Sequence, residues 1–169
     1  MKTLLATLLL CLTFTAHAQT WPRNLKTHKV EFTGLLPWPA TAKTEAQRKA
    51  LVKRWYLAKL TDSTPGEVEA DAATNMTNGL LTYAGLPRVV TMRAGAGDTR
   101  YLLVYALEIV PHSKAASYRI YDFSASSLTT PEPQDGTPLE AHLTTPDKNE
   151  QAALESLRKR LVGAVAGWR

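Results

Sequence analysis

Cysteine is nearly absent from this 169-residue sequence: the one residue is Cys11. It follows Leu8, Leu9 and Leu10, and a lipid-modified cysteine needs a small residue just before it, which Leu10 is not. Cys11 is therefore read as one more apolar residue of an export signal, lost with it. The chain that remains has no disulfide, thiolate nucleophile or cysteine metal ligand. A domain exported without disulfides has to be held by its core.

Long apolar runs are equally scarce. Leu4 to Phe14 is the candidate, and it falls short of the roughly 20 residues that span a bilayer. Lys2 before it and Ala16-His17-Ala18 after it give the order of a secretory signal peptide, with cleavage after Ala18. No second apolar stretch follows, so no stable membrane anchor is expected after cleavage. The expected address is periplasmic or extracellular. Three segments are predicted: signal 1–18, a polar leader 19–27 with Trp21-Pro22, and a single domain 28–169.

Charge of one sign is limited too. Twenty Lys and Arg against fifteen Asp and Glu give +5, and loss of Lys2 takes that to about +4. The excess is not gathered in one run, and nucleic acid is not expected as a partner. The sequon Asn75-Met76-Thr77 bears on the chain only in a glycosylating pathway.

Motifs for chemistry are missing as well. His17 leaves with the signal, and His28, His112 and His142 lie in separate elements without ligand spacing. There is no G-x-S-x-G elbow. Ser124, Ser126 and Ser127 read as a polar loop after a strand, and Gly95-Ala96-Gly97 as a turn with no helix behind it to cradle phosphate. No catalytic, cofactor-binding or metal-ligating set is predicted, so the expected function is non-enzymatic.

What is present is periodicity. His28 to Leu35 alternates as a strand and ends at Pro37-Trp38-Pro39. Thr44 to Leu60 reads as a helix with a Thr44/Gln47 capping box and an apolar face of Ala46, Ala50, Leu51, Trp55, Leu57 and Ala58. Thr61 to Gly66 is a stop. Val68 to Asp71 is a short strand candidate. Gly79 to Leu86 is a better one, started by a tight Asn78-Gly79 turn.

Ala94 to Asp98 is a Gly-rich turn. Arg100 to Val110 is the strongest strand, and Ser117 to Phe123 returns as its partner. Residues 128–145 form a Pro-rich loop. The last helix then starts at Pro146 and Asp147, with Glu150 completing an N-terminal capping pair, and carries a stripe of Leu154, Leu157, Leu161, Val165 and Trp168. The order β-α-β-β-β-β-α predicts an α+β fold: one antiparallel sheet of about five strands with two helices on one face.

Several stretches resemble a family of secreted bacterial domains of unknown function with a TATA-binding-protein-like (TBP-like) fold. They are the strand HKVEFTG, the helix RKALVKRWYLAKL, the segment VEADAATNMTNGLLTYAG and the hairpin YLLVYALEIV with YRIYDF. The similarity runs from Lys29 to about Phe123 and implies that fold without implying DNA binding. It brings no catalytic residues.

Two features invite a functional reading. Arg54 falls by helical angle near the middle of the apolar face. It either snorkels to the sheet edge or forms an internal ion pair with Asp71, Glu108 or Asp122. The second concerns the strand Arg100 to Val110, which is apolar on both faces, whereas a sheet with one wet face alternates. Its second face, with Leu102, Val104 and Glu108 beside Arg119 and Tyr121, is the candidate interaction surface unless the leader or the loop 128–145 covers it. The leading expectation is an envelope or periplasmic domain that binds a protein partner, or itself, through this face. The alternative is a carrier of small hydrophobic ligands in a helix–sheet pocket.

Overall fold

A computed structural model describes residues 21–97, 99–128 and 136–168. The signal segment 1–18 lies outside them. The fold is α+β, a mainly antiparallel five-strand sheet with helices. Strand β1 (Phe32–Pro37) is followed by α1 (Glu45–Trp55), which widens into a π-turn at Tyr56–Leu60, and then by α2 (Pro65–Met76). Two-residue strands β2 (Leu81–Thr82) and β3 (Leu86–Pro87) flank a 3-10 turn at Tyr83–Gly85. The long strands follow as β4 (Val89–Ala96), β5 (Thr99–Pro111) and β6 (Ala115–Ser127). Strand β7 (Thr137–Pro138), the short α3 (Leu139–His142) and α4 (Lys148–Ala166) complete the chain. The main sheet runs β1-β6-β5-β4, with β7 paired to β6, and β2 and β3 form a separate ribbon.

Several expected elements differ. The strand expected at Val68 to Asp71 is part of α2. Thr64 and Glu67 make a full capping box there, and Pro65 takes the first helical turn, where a missing N–H costs nothing. The Pro-Gly pair thus opens a helix instead of only ending the previous one. Most of Gly79 to Leu86 is not strand: Gly79, at φ +64°, turns the chain after α2, and Ala84 sits at φ +67° inside the 3-10 turn. Conversely, Ala94 and Ala96 belong to β4. Val90 and Met92 are buried while Val89, Thr91 and Arg93 face out, a period-two pattern that pairs register by register with β5.

The core lies between the sheet and the helices. Tyr101, Leu103, Tyr105, Leu107 and Ile109 of β5 are all buried. So are Leu154, Leu157, Leu161 and Ala164 of α4. On α1 the buried set is Leu51, Val52 and Trp55, continued by Tyr56 in the π-turn, while Ala46, Ala50 and Ala58 are exposed. Alanines widen an apolar stripe on paper, but the large residues decide which side faces the sheet, since they bury the most area.

Indole donors tie the layers together. Trp55 Nε1 donates to the Ala164 carbonyl at 2.7 Å, and Trp168 Nε1 to the Pro37 carbonyl at 2.9 Å. The two rings meet edge to face at 5.2 Å. The Tyr105 hydroxyl donates to the Leu60 carbonyl, which the end of the π-turn leaves without a helical partner. Trp21 of the leader packs edge to face on Phe32 and Phe123, which joins the leader to the core.

Candidate functional site

The second face of the sheet is organised by a bulge in β6. Val104 pairs with Ser124 and Ala106 with Tyr121, so Asp122 and Phe123 together oppose Tyr105. Asp122 takes up the extra residue at φ +51°, a backbone conformation that Asp tolerates better than most residues. The inward positions switch from Ala116, Tyr118 and Ile120 to Phe123 and Ala125. Ser117, Arg119, Tyr121, Ser124 and Ser126 are thereby left on the side away from the helices. Ser124 to Ser127 were expected in a loop, but the bulge carries the ladder through them to Ser127.

Leu102, Val104, Ala106, Glu108 and Val110 of β5 share that side, since residues two apart point the same way. The first four are half-buried, and Val110 is 44% exposed. Their neighbours extend the apolar surface: Leu35 of β1 is 67% exposed and Val89 of β4 53%. Register places Val110, Ser117 and Leu35 in one row and Val89 beside Ala106. All five candidate interaction residues, Leu102, Val104, Glu108, Arg119 and Tyr121, therefore lie on one face.

One corner of this face is charged and fixed. Arg119 donates from Nε to Glu31 Oε1 at 2.8 Å and from its terminal nitrogen to Oε2 at 3.1 Å, a two-point fork. Asn24 adds a bond to Glu31 Oε2 at 3.0 Å. Arg119 also stacks over Tyr121, 4.0 Å from its ring centroid, and Glu108 stands opposite it in register. The hydrogen bond from Arg119 holds the Glu31 carboxyl below its ordinary range, and the same bond raises Arg119.

The described part of the Pro-rich loop borders the face without crossing it. Strand β7 pairs with Ser124 and Ala125, and Leu139 then enters the core. At Gly136 an added Cβ would come within 2.9 Å of Ser124 Oγ, so the loop returns close against that end. Residues 129–135 of the loop lie outside the described residues.

The proposed internal ion pair is not brought together. Arg54 is exposed on α1 and, among the described residues, has no ion pair or hydrogen bond. Asp71 is exposed on α2, and Glu108 is on the opposite side of the sheet from the helices. Asp122 is 3.9 Å from Lys29 in an exposed contact. The helical angle misled because Val52 and Tyr56 centre the inward stripe, with Leu57 only partly buried at its margin and Ala58 exposed, which turns Arg54 to solvent.

A second place escaped the sequence reading. A cleft of about 440 Å³ is lined by Trp21, Arg23, His142, Leu143, Gln151, Leu154 and Glu155. His142 Nδ1 lies 2.5 Å from Glu150 Oε1, with both side chains largely buried. Tyr101 stands edge to face with the imidazole at 6.2 Å. Burial raises the Tyr101 hydroxyl above its ordinary range, and the neighbouring Glu150 adds to the rise. Glu150 was expected to help cap α4. Asp147 caps the Asn149 and Glu150 N–H groups by itself, which leaves the Glu150 side chain for His142. The local signal was the eight-residue spacing of His142 and Glu150 across a helix start, which has no recognisable motif.

No protein-family description, curated protein or solved structure matches the chain. Among the described residues no helix is long and apolar enough to cross a membrane.

Proposed function

We propose that this chain is an exported, non-catalytic interaction domain of the bacterial envelope, TBP-like in fold, that engages a protein partner through the second face of its sheet. The observation that carries the reading is the apolar surface on β1, β4 and β5, open among the described residues: Leu35 and Val110 flank Ser117 in one row, Val89 stands beside Ala106 in another, and Leu102 and Val104 continue it along β5. Contiguous apolar surface of this kind on a sheet is costly to leave in water and marks contact sites. The Glu31–Arg119–Tyr121 corner supports specificity: its groups are held rigid in advance, so little side-chain freedom is lost on docking. The hydroxyls of Ser117, Ser124, Ser126 and Thr91 stand in register among these apolar residues and supply the hydrogen-bonding groups that interfaces carry.

The test compares the full chain with Val104→Asp by light scattering and by co-purification from envelope extracts. A partner, or a second copy, retained by the wild type and lost by Val104→Asp at unchanged circular dichroism supports the reading. Identical behaviour of the two proteins overturns it.

A further inference from the structure

The cleft beside the leader is separate from the sheet face and differs from it in chemistry. Its volume, about 440 Å³, is that of a small-molecule site. One wall is apolar, from Trp21, Leu143 and Leu154.

The charges around it are mostly satisfied within the protein. Glu155 is held by a two-point fork from Arg158, at 2.7 and 2.6 Å, which lowers the carboxyl and raises the guanidinium. Glu150 is engaged by His142. Arg23 is exposed and, among the described residues, donates to one acceptor, the His28 carbonyl at 2.8 Å, which leaves most of its five N–H donors for a ligand.

His142 adds the second polar feature. In a neutral imidazole the contact with the Glu150 carboxylate puts the proton on Nδ1 and leaves Nε2 as an acceptor. Among the described residues Nε2 is buried and has no hydrogen-bond partner. Such an orphaned acceptor is unfavourable until a donor reaches it.

We infer that the cleft lined by Trp21, Arg23, His142 and Leu143 binds a small amphiphilic anion. The apolar body lies against Trp21, Leu143 and Leu154. The anionic group meets Arg23, and an N–H or hydroxyl of the ligand donates to His142 Nε2. The Glu150 carboxylate positions the imidazole for that bond.

The probe is 8-anilinonaphthalene-1-sulfonate, which carries an aromatic body, an anionic group and an N–H donor. It is titrated into the full chain, followed by its own emission, and compared with three variants. His142→Asn keeps a donor for Glu150 while removing the Nε2 acceptor. Arg23→Glu reverses the cation at an exposed position. Val104→Asp alters only the sheet face.

The expected result is saturable binding weakened at least about fivefold by Arg23→Glu and by His142→Asn, and unchanged by Val104→Asp, since charge-assisted and orphan-acceptor contacts carry effects of that size. If circular dichroism shows His142→Asn unfolded, Arg23→Glu decides alone. Absence of saturable binding, an affinity unmoved by the cleft variants, or loss of binding only in Val104→Asp overturns the inference. The last outcome would leave the sheet-face reading standing.

Discussion

Leu102 and Leu103 are chain neighbours on opposite sides of β5, so the same substitution at each measures how different the two faces are. Leu103 is fully buried and packed under the helices. Truncating it to alanine loses the transfer energy of its carbons and leaves a cavity; such changes cost about 2–5 kcal/mol, and a residue so enclosed belongs near 3–4. Leu102 is half-buried on the other face. Leu102→Ala removes three carbons at about 0.8 kcal/mol each when fully buried, so about 1 kcal/mol at half burial, with no closed cavity. Urea unfolding followed by circular dichroism converts these to midpoints: with a slope of about 2 kcal/mol per molar, Leu103→Ala lowers the midpoint by roughly 1.5–2 M and Leu102→Ala by about 0.5 M. Slopes should be unchanged for a two-state domain. Equal losses at the two positions would refute the reasoning, because they would mean that the second face is covered.

Tyr105→Phe deletes the hydroxyl that satisfies the Leu60 carbonyl at the end of the π-turn. A buried acceptor left alone costs about 1–3 kcal/mol, readable in the same urea assay. Arg54→Ala should change stability by no more than about 0.5 kcal/mol, as for other exposed positions without partners; a loss of several kcal/mol would restore the internal ion pair. Glu31→Gln tests the charged corner by pH. The folded carboxyl is lowered by Arg119, so its contribution is complete above the unfolded value near 4.3 and lost as pH falls through the lower folded value. The gap in urea midpoint between wild type and Glu31→Gln should therefore be larger at pH 7 than at pH 3. A gap that does not shrink on acidification would mean that Arg119 does not stabilise the ionised form.

Much of the sheet was legible because its signals are local and strong. The apolar run from Arg100 to Val110 marks β5, and the two faces that a period of two assigns to it are those the structure shows. The capping boxes at Thr44 and Thr64 are equally explicit in sequence. The second is masked by Pro65-Gly66, which also reads as a break, and by four residues of apparent alternation from Val68. Strand β4 was obscured by Gly95 and Gly97, whose conformational freedom suggests a turn, although the turn begins only at Gly97.

The candidate face was accessible from a period-two argument alone, since Leu102, Val104 and Glu108 are two or four residues apart. The bulge at Asp122, which changes which serines share the face, was not. It depends on the register between β5 and β6, and no residue type in β6 encodes it uniquely. The Glu31–Arg119 fork and the His142–Glu150 contact were illegible for another reason. Each is made across elements by residues with no motif, 88 and 8 positions apart.

The central claim is that a partner protein sits on the apolar surface of the sheet's second face. A photo-crosslinking side chain placed at Val104 tests it most directly, with the same group at Ala73 on the outer side of α2 as the control. On irradiation of intact cells producing the full chain, the prediction is a discrete crosslinked adduct from position 104 and none from position 73. No adduct at 104, or the same adducts from both positions, would contradict the account.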